Sequence, residues 1–220
     1  MPEAAVATPS SSGKAQTAKR QTARPTLRDL RREEILDTAG ELVASGGLGA
    51  LTISALEKRL SFSRGVITYH FKNKEEIVRT LFKNAIQTID AHALGEVESA
   101  PDLEQRIRRA SRAIVHGFVD NPVAANILMS FWGSLNADAE TAQLNADLYR
   151  KYRASARHIA ASEEVPTGID LDAFAAVFVG VVIGIACQAL FDANAIDVDA
   201  ATDHAARALT ALLRPSPAHT

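Results

Sequence analysis

Nineteen consecutive residues, Ala173 to Phe191, carry no formal charge. As a helix they would extend about 28 Å, enough to cross a bilayer, and Gly180 and Gly184 make a small-xxx-small pair. The flanks oppose a membrane span. No Lys or Arg lies between Arg157 and Arg207, so cationic interfacial anchors are missing, and Asp170, Asp172 and Asp192 border the run. A helix apolar all round can instead be buried from two sides, by its own domain and by a second subunit. The glycines would then allow two helices to approach closely. Helices over about 170–191 and 199–213, the second bearing Leu209, Leu212 and Leu213, are expected to form a four-helix homodimer interface, with no membrane partner.

The rest of the chain also reads as helix. Aromatics are 5% of a composition that is 47% hydrophobic and rich in Ala, a strong helix former. The first helix is expected from about Arg28 to Ser45, started by Thr26 and Asp29 as a capping box and ended by Gly46-Gly47. Ile35, Ala39, Leu42 and Val43 repeat at helical spacing. Thr52 and Ser63 each open a short helix. Asn73 opens a longer one, with Glu76 completing a second capping box. Further helices begin at Pro101-Asp102, at Asn121-Pro122 with Asn121 as cap, and at about Asp138, the last running to Glu164. Period-2 alternation is absent, so the expected fold class is all-α, with about nine helices. The expected division is a disordered basic arm over 1–25, a first group of short helices over 26–72, a longer helical region over 73–214, and a tail over 215–220.

Charge separates the two halves. Residues 1–84 hold 14 Lys and Arg against 9 Asp and Glu, a net of +5; the remainder holds 10 against 17, a net of −7. A polyanion is therefore expected to touch only the front. The arm, with Lys14, Lys19, Arg20 and Arg24, is either a solvated tail or a further contact to DNA. Cys187 is the one cysteine, which rules out an intrachain disulfide framework or cysteine-based zinc site and suits a reducing cytoplasm. The N-terminus has no apolar segment of the kind a secretory signal needs. No EXXH pair, HEXXH motif or phosphate-cradling glycine loop is present, so neither catalytic residues, metal nor cofactor is expected. An all-α enzyme of unknown reaction is the alternative.

The third helix carries the functional signal. It is about two turns long, too short to be stable alone, and it is bracketed by Ser63, Arg64, Thr68, Tyr69, His70, Lys72 and Lys74. Its neighbours must hold it and leave one face free. Arg suits a guanine edge, and Thr and Tyr suit phosphates. The short turn before it fits a helix-turn-helix, whose second helix enters the major groove.

The stretch Ser61 to Val78, SFSRGVITYHFKNKEEIV, closely resembles the TetR family of bacterial regulators, and the likeness extends over about 28–84. It implies that Ser63 to His70 form the recognition helix. Arg64, Thr68, Tyr69 and His70 would contact groove and phosphate, and Gly65 would permit close approach to DNA or to a packed helix. Phe71 would anchor the core, Lys74 would meet phosphate at a helix N-terminus, and Thr52 would cap the preceding helix beside the backbone. Two residues depart from the family pattern, Glu57 where Ala is usual and Ser61 where Gly is usual. Glu57 must reach solvent or pair, with Arg28 or Arg31 as candidates, and Ser61 must accept a left-handed turn. Ser63 is read either as a cap or as a phosphate ligand, Tyr69 as core or contact, and Lys72 as a contact or a solvated charge.

Further on, Asn121 to Ala154 resembles the C-terminal domain of the choline/betaine-type regulators of that family, through Phe131-Trp132 and the run Tyr149 to Arg153. This implies a sensing and dimerising domain without fixing the ligand. Phe118, Met129, Trp132, Phe174 and Phe178 are the candidate ligand-binding residues, read either as an aromatic box suited to a cation or as ordinary core. His116, Asn136 and Gln188 are candidate polar handles. The expected function is a dimeric repressor that leaves a palindromic DNA operator when a small molecule binds, by a shift of the helix starting at Asn73.

Overall fold

The computed structural model describes residues 26–91, 97, 99–133, 139–161, 165–194 and 196–214. The arm over 1–25, the tail over 215–220 and Asn136 lie outside the described residues. Within them there are nine α-helices and no strand.

Helix α1 (Leu27–Ala50) starts at the expected capping box: the Thr26 hydroxyl accepts from the Asp29 amide, and the Asp29 carboxylate accepts from the Thr26 amide. Gly47, at φ 69°, kinks the helix where the sequence suggested an end. The chain resumes helical geometry beyond it to Ala50, so glycine here bends rather than stops. The Thr52 hydroxyl caps α2 (Ile53–Leu60) by accepting from the Ala55 amide. Ser61 then turns left-handed at φ 54°, the conformation expected of this position. α3 (Arg64–His70) follows. Leu51, Leu56, Ile67 and Phe71, each at most 1% exposed, pack beneath it with Ile35 and Val43 of α1.

Helix α4 (Lys74–Asp90) begins at Asn73, whose side chain accepts from the Glu76 amide. The Glu76 carboxylate accepts from the Lys72 amide instead of from Asn73. The reciprocal bond expected of a capping box is thus displaced by one residue. α4 buries Ile77, Leu81, Phe82, Ala85 and Ile89 and lies against α6 (Pro122–Trp132) and α1. α6 also packs on α1, so α1 and α4 share one apolar neighbour. Asn121 precedes α6 but makes no cap bond; its side-chain amide donates to the Gly117 carbonyl, 2.9 Å away. The expected Asn cap is replaced by a tie to the preceding helix, and Pro122 opens α6 without a donor to satisfy.

Helices α5 (Leu103–Val119), α7 (Ala139–Ala160), α8 (Leu171–Phe191) and α9 (Val198–Leu212) complete the structure, with α5 packed on α8 and α9, and α7 on α8. α5 passes close to the end of α4 at Gly117, where an added Cβ would stand 2.8 Å from the Ile89 carbonyl oxygen. α8 is the one described helix long and apolar enough to span a membrane. It is partly a core helix, burying Phe174, Ala175, Phe178, Val179, Val182, Ile185, Ala186 and Ala189. Its other side is bare: Ala173, Ala176, Val177 and Gly180 are exposed, and Phe191 is 82% exposed. Leu212 of α9 is 52% exposed.

Candidate nucleic-acid interface

The outer face of α3 is open from its first turn to its last. Ser63, Arg64, Gly65, Val66, Thr68 and Tyr69 are exposed, while Ile67 points into the core at 0% exposure. One inward residue at the middle of a two-turn helix holds it, and the rest is free. Ser63 occupies the N-cap position but makes no side-chain cap bond, so its hydroxyl is available. The Thr68 hydroxyl donates back to the Arg64 carbonyl, 2.9 Å away, which leaves its oxygen lone pairs outward. An added Cβ at Gly65 would meet only the Ser63 Oγ, at 3.8 Å. Among the described residues no packed helix requires glycine at that position.

Tyr69 is 68% exposed, at the surface and not in the core. It is not loose. The Arg28 guanidinium lies 5.5 Å from its ring centroid, and the His70 ring meets it edge-on at 5.1 Å. Arg31 stacks on Phe62 at 4.7 Å and Arg32 on Phe71 at 4.0 Å. Arg32 also donates to the His70 carbonyl, 3.1 Å away. The first turns of α1 thus drape three guanidiniums over the aromatic residues of the helix-turn-helix, each worth roughly 0.5–1 kcal/mol at an exposed site. These arginines extend the cationic surface beside α3, and the motif reading passed over them as contacts. The visible signal was the Arg28-x-x-Arg31-Arg32 spacing just after a helix cap.

Arg31 is spent on Phe62 and on Glu34, 2.9 Å away, so it does not neutralise Glu57, which stays half-buried. Lys74 stands at the first turn of α4 as expected, and its ammonium donates to the Leu48 carbonyl at 3.3 Å. An ammonium has three donors, so this bond fixes Lys74 at the helix N-terminus with protons to spare. His70 is half-buried, and its Nδ1 has no hydrogen-bond partner. Thr52 is occupied at its cap and exposed at the surface.

The candidate ligand residues fall into two aromatic pairs and a lone methionine. Phe118, Phe174 and Phe178 are core, each at most 3% exposed. Phe118 meets Trp132 at 5.9 Å, whereas Phe174 and Phe178 pair with each other at 6.0 Å along α8. Met129 is half-buried, its sulfur 3.8 Å from Cys187 Sγ. Trp132 continues instead to Tyr149, at 5.7 Å, and Tyr149 to Tyr152, at 6.5 Å. Those tyrosines were read only as markers of resemblance. His116 faces Asp199, 3.2 Å from its Nε2, and Gln188 donates to the Gly184 carbonyl of its own helix. An open cavity of about 470 Å³ lies elsewhere, between α1, α4 and α6.

Comparison with known proteins decides the family. Residues 35–81 match the family described as bacterial regulatory proteins, tetR family, and residues 101–214, more than half of the chain, match the BetI-type transcriptional repressor C-terminal family. The chain is a TetR-family transcriptional regulator. The regulator is 24% identical over 135 residues to an HTH-type transcriptional regulator BetI of Escherichia coli, a match spanning 60% of this chain and 66% of that protein. It is 21% identical over 155 residues to a BetI of Burkholderia cenocepacia, covering 65% and 78% of the two chains. Among solved structures, a putative transcriptional regulator from Pseudomonas aeruginosa PAO1 superposes with a TM-score of 0.68 at 13% identity, over 83% of this chain and 89% of that one. AibR, solved in complex with isovaleryl coenzyme A and operator DNA, superposes with a TM-score of 0.63 at 18% identity, over 84% and 100%. At these identities the structures establish the TetR-regulator fold.

Proposed function

We propose that this regulator is a cytoplasmic homodimeric repressor that holds a near-palindromic operator and releases it when a small molecule enters its C-terminal half. Residues 26–72 would read DNA, and residues 73–214 would sense and dimerise. The observation that carries the reading is the free outer face of α3, whose Gly65 has no partner in the chain that needs it small. In the groove, Arg64 would address base edges, with Gly65 letting the backbone approach. Thr52, Ser63, Thr68, Tyr69, His70 and Lys74 would take sugar-phosphate and groove contacts. A two-fold axis through the bare faces of α8 and α9 would present α3 twice, one helical turn of DNA apart. Met129 and Trp132, backed by Phe118, would lie at the ligand region, with Phe174 and Phe178 as the wall behind. A ligand acts only through a difference in affinity for the two spacings of the recognition helices. The matched relatives' printed role, and AibR holding both a ligand and operator DNA, support this reading.

The test selects bound fragments from random DNA and measures affinity over a range of salt. Tight binding to a two-fold symmetric sequence, weakening steeply with salt, is the expected result. A monomer, or a protein indifferent to duplex DNA in dilute salt, would overturn it.

A further inference from the structure

The large hydrophobic side chains that stand exposed among the described residues gather on two surfaces, Val123 apart. Val177, Phe191 and Leu212 lie on α8 and α9, the side given above to a second subunit. Leu27 and Leu30 lie at the start of α1, and Val66 and Tyr69 on α3. Arg28, between the two leucines, reaches the Tyr69 ring at 5.5 Å, so the start of α1 borders α3. Tyr69 has a hydroxyl to offer a partner. Val66 has none, yet it sits on the surface proposed to face DNA.

Val66 is 38% exposed, whereas its neighbour Ile67 is fully buried. At 100° per residue Tyr69 falls on the side of α3 away from Ile67, and Val66 about 60° from Tyr69. The two are i, i+3 neighbours on one face. The Val66 amide donates to the Ser63 carbonyl at 3.0 Å, so its donor is spent and the residue presents methyl groups outward. Branching at Cβ leaves one strongly preferred rotamer in a helix, which fixes their direction.

The chemistry of the groove selects what such a side chain can meet. On the base edges of the major groove the thymine C5-methyl is the apolar group; the others donate or accept hydrogen bonds. A valine cannot answer a phosphate oxygen or a purine N7. Over cytosine it would cover the N4 amino group without accepting from it, and an unpaired donor is costly. Over thymine, methyl meets methyl. Valine reaches only one bond beyond Cβ, so the contact requires the helix backbone to lie close to the bases. Gly65, exposed and next in the chain, carries no Cβ, and one added there would meet only Ser63 Oγ at 3.8 Å. The outer face is therefore lowest beside the residue with the shortest reach.

We propose that Val66 is a specificity-determining residue that reads the C5-methyl group of one pyrimidine in each half-site: thymine in ordinary DNA, and 5-methylcytosine where cytosine carries the same group. The proposal rests on the DNA reading above and adds to it one chemical group of the operator.

The operator selected from random DNA is expected to hold a fixed thymine in each half-site. Each thymine is replaced in turn by deoxyuridine, which deletes only the methyl, and affinity for the full-length regulator is read by fluorescence anisotropy. At one thymine of each half-site the replacement should cost about fourfold, and about fifteenfold when both half-sites are changed, as for one buried methyl-sized group each. At that position 5-methylcytosine should bind about fourfold tighter than cytosine. Val66→Ala should bind the thymine and deoxyuridine operators within about twofold of each other at that position, and keep the parent's response at the other thymines. Melting curves check that the variant folds, and a loss of stability alone would weaken both duplexes alike. Deoxyuridine tolerated at every position, cytosine and 5-methylcytosine bound alike, or a folded Val66→Ala that keeps the parent's full preference would each overturn the proposal and leave operator binding intact. A regulator that selects no duplex would sink the DNA reading itself, and this proposal with it.

Discussion

Tyr69 is the most exposed aromatic side chain of the DNA-reading helix, yet Arg28 and His70 restrain it from two directions. Under the proposed function such a side chain would meet DNA with little rotamer freedom left to lose. Tyr69→Ala is expected to weaken operator binding by roughly 1–3 kcal/mol while moving stability by less than about 0.5 kcal/mol, as for other surface substitutions. Fluorescence anisotropy and chemical denaturation separate the two. Lys74→Ala should lower the salt slope of binding by about one. Ser61, the only described non-glycine residue at positive φ, is strained, and Ser61→Gly should raise stability by up to about 1 kcal/mol, read from urea midpoints at constant slope. The exposed face of α3 was readable because its residues fall in one contiguous stretch with a distinctive spacing. Arg28, Arg31 and Arg32 were not, because what an arginine stacks on is decided by a helix crossing, and sequence spacing carries no crossing angle.

Among the elements, α5 is the most tightly constrained. Its Gly117 passes the Ile89 carbonyl too closely for any Cβ, so Gly117→Ala should destabilise by about 1–3 kcal/mol, as overpacking does, visible in thermal melts. Its opposite side faces α9 through Arg112–Asp199 at 2.5 Å and Arg108–Asp203 at 3.5 Å. Hydrogen bonds from Arg112 and then His116 hold the Asp199 carboxyl below the usual carboxylate range. A depressed pKa adds stability above the unfolded value, near 4, and loses it as pH falls through the folded one. Asp199→Asn should therefore flatten the acid limb of the melting-temperature profile and leave the neutral region within about 1 kcal/mol, the range for exposed pairs. Helix starts at Thr26, Thr52 and Asp102 were legible because capping is local chemistry. Asn121 misled because its amide had a competing acceptor, the Gly117 carbonyl. Large apolar residues fill cores as readily as pockets, so composition carried no signal to tell Phe118, Phe174 and Phe178 as core from the wall of a ligand site.

At the scale of the molecule, two surfaces matter. An added Cβ at Gly180 or Gly184 meets nothing within 4 Å among the described residues, so Gly180→Leu should leave the subunit folded. If α8 forms the dimer face, the same change should yield monomers in sedimentation and a sharp loss of operator affinity. A Gly180→Leu protein that stays dimeric would show that the two-fold axis lies elsewhere. The all-round apolarity of α8 was plain in the sequence; which stripe its own subunit covers was not, since periodicity is silent where every position is apolar. The other surface joins α4 to α7. Arg79 pairs with Glu140 near one end of α4, and Asp90 pairs with Lys151 at the other. These struts are solvent-facing, hence sensitive to ionic strength. Concentrated electrolyte would then act on the regulator twice, weakening its hold on DNA phosphates and loosening the α4–α7 ion pairs. A bacterium under osmotic load would hear its inducer less distinctly than one in dilute medium.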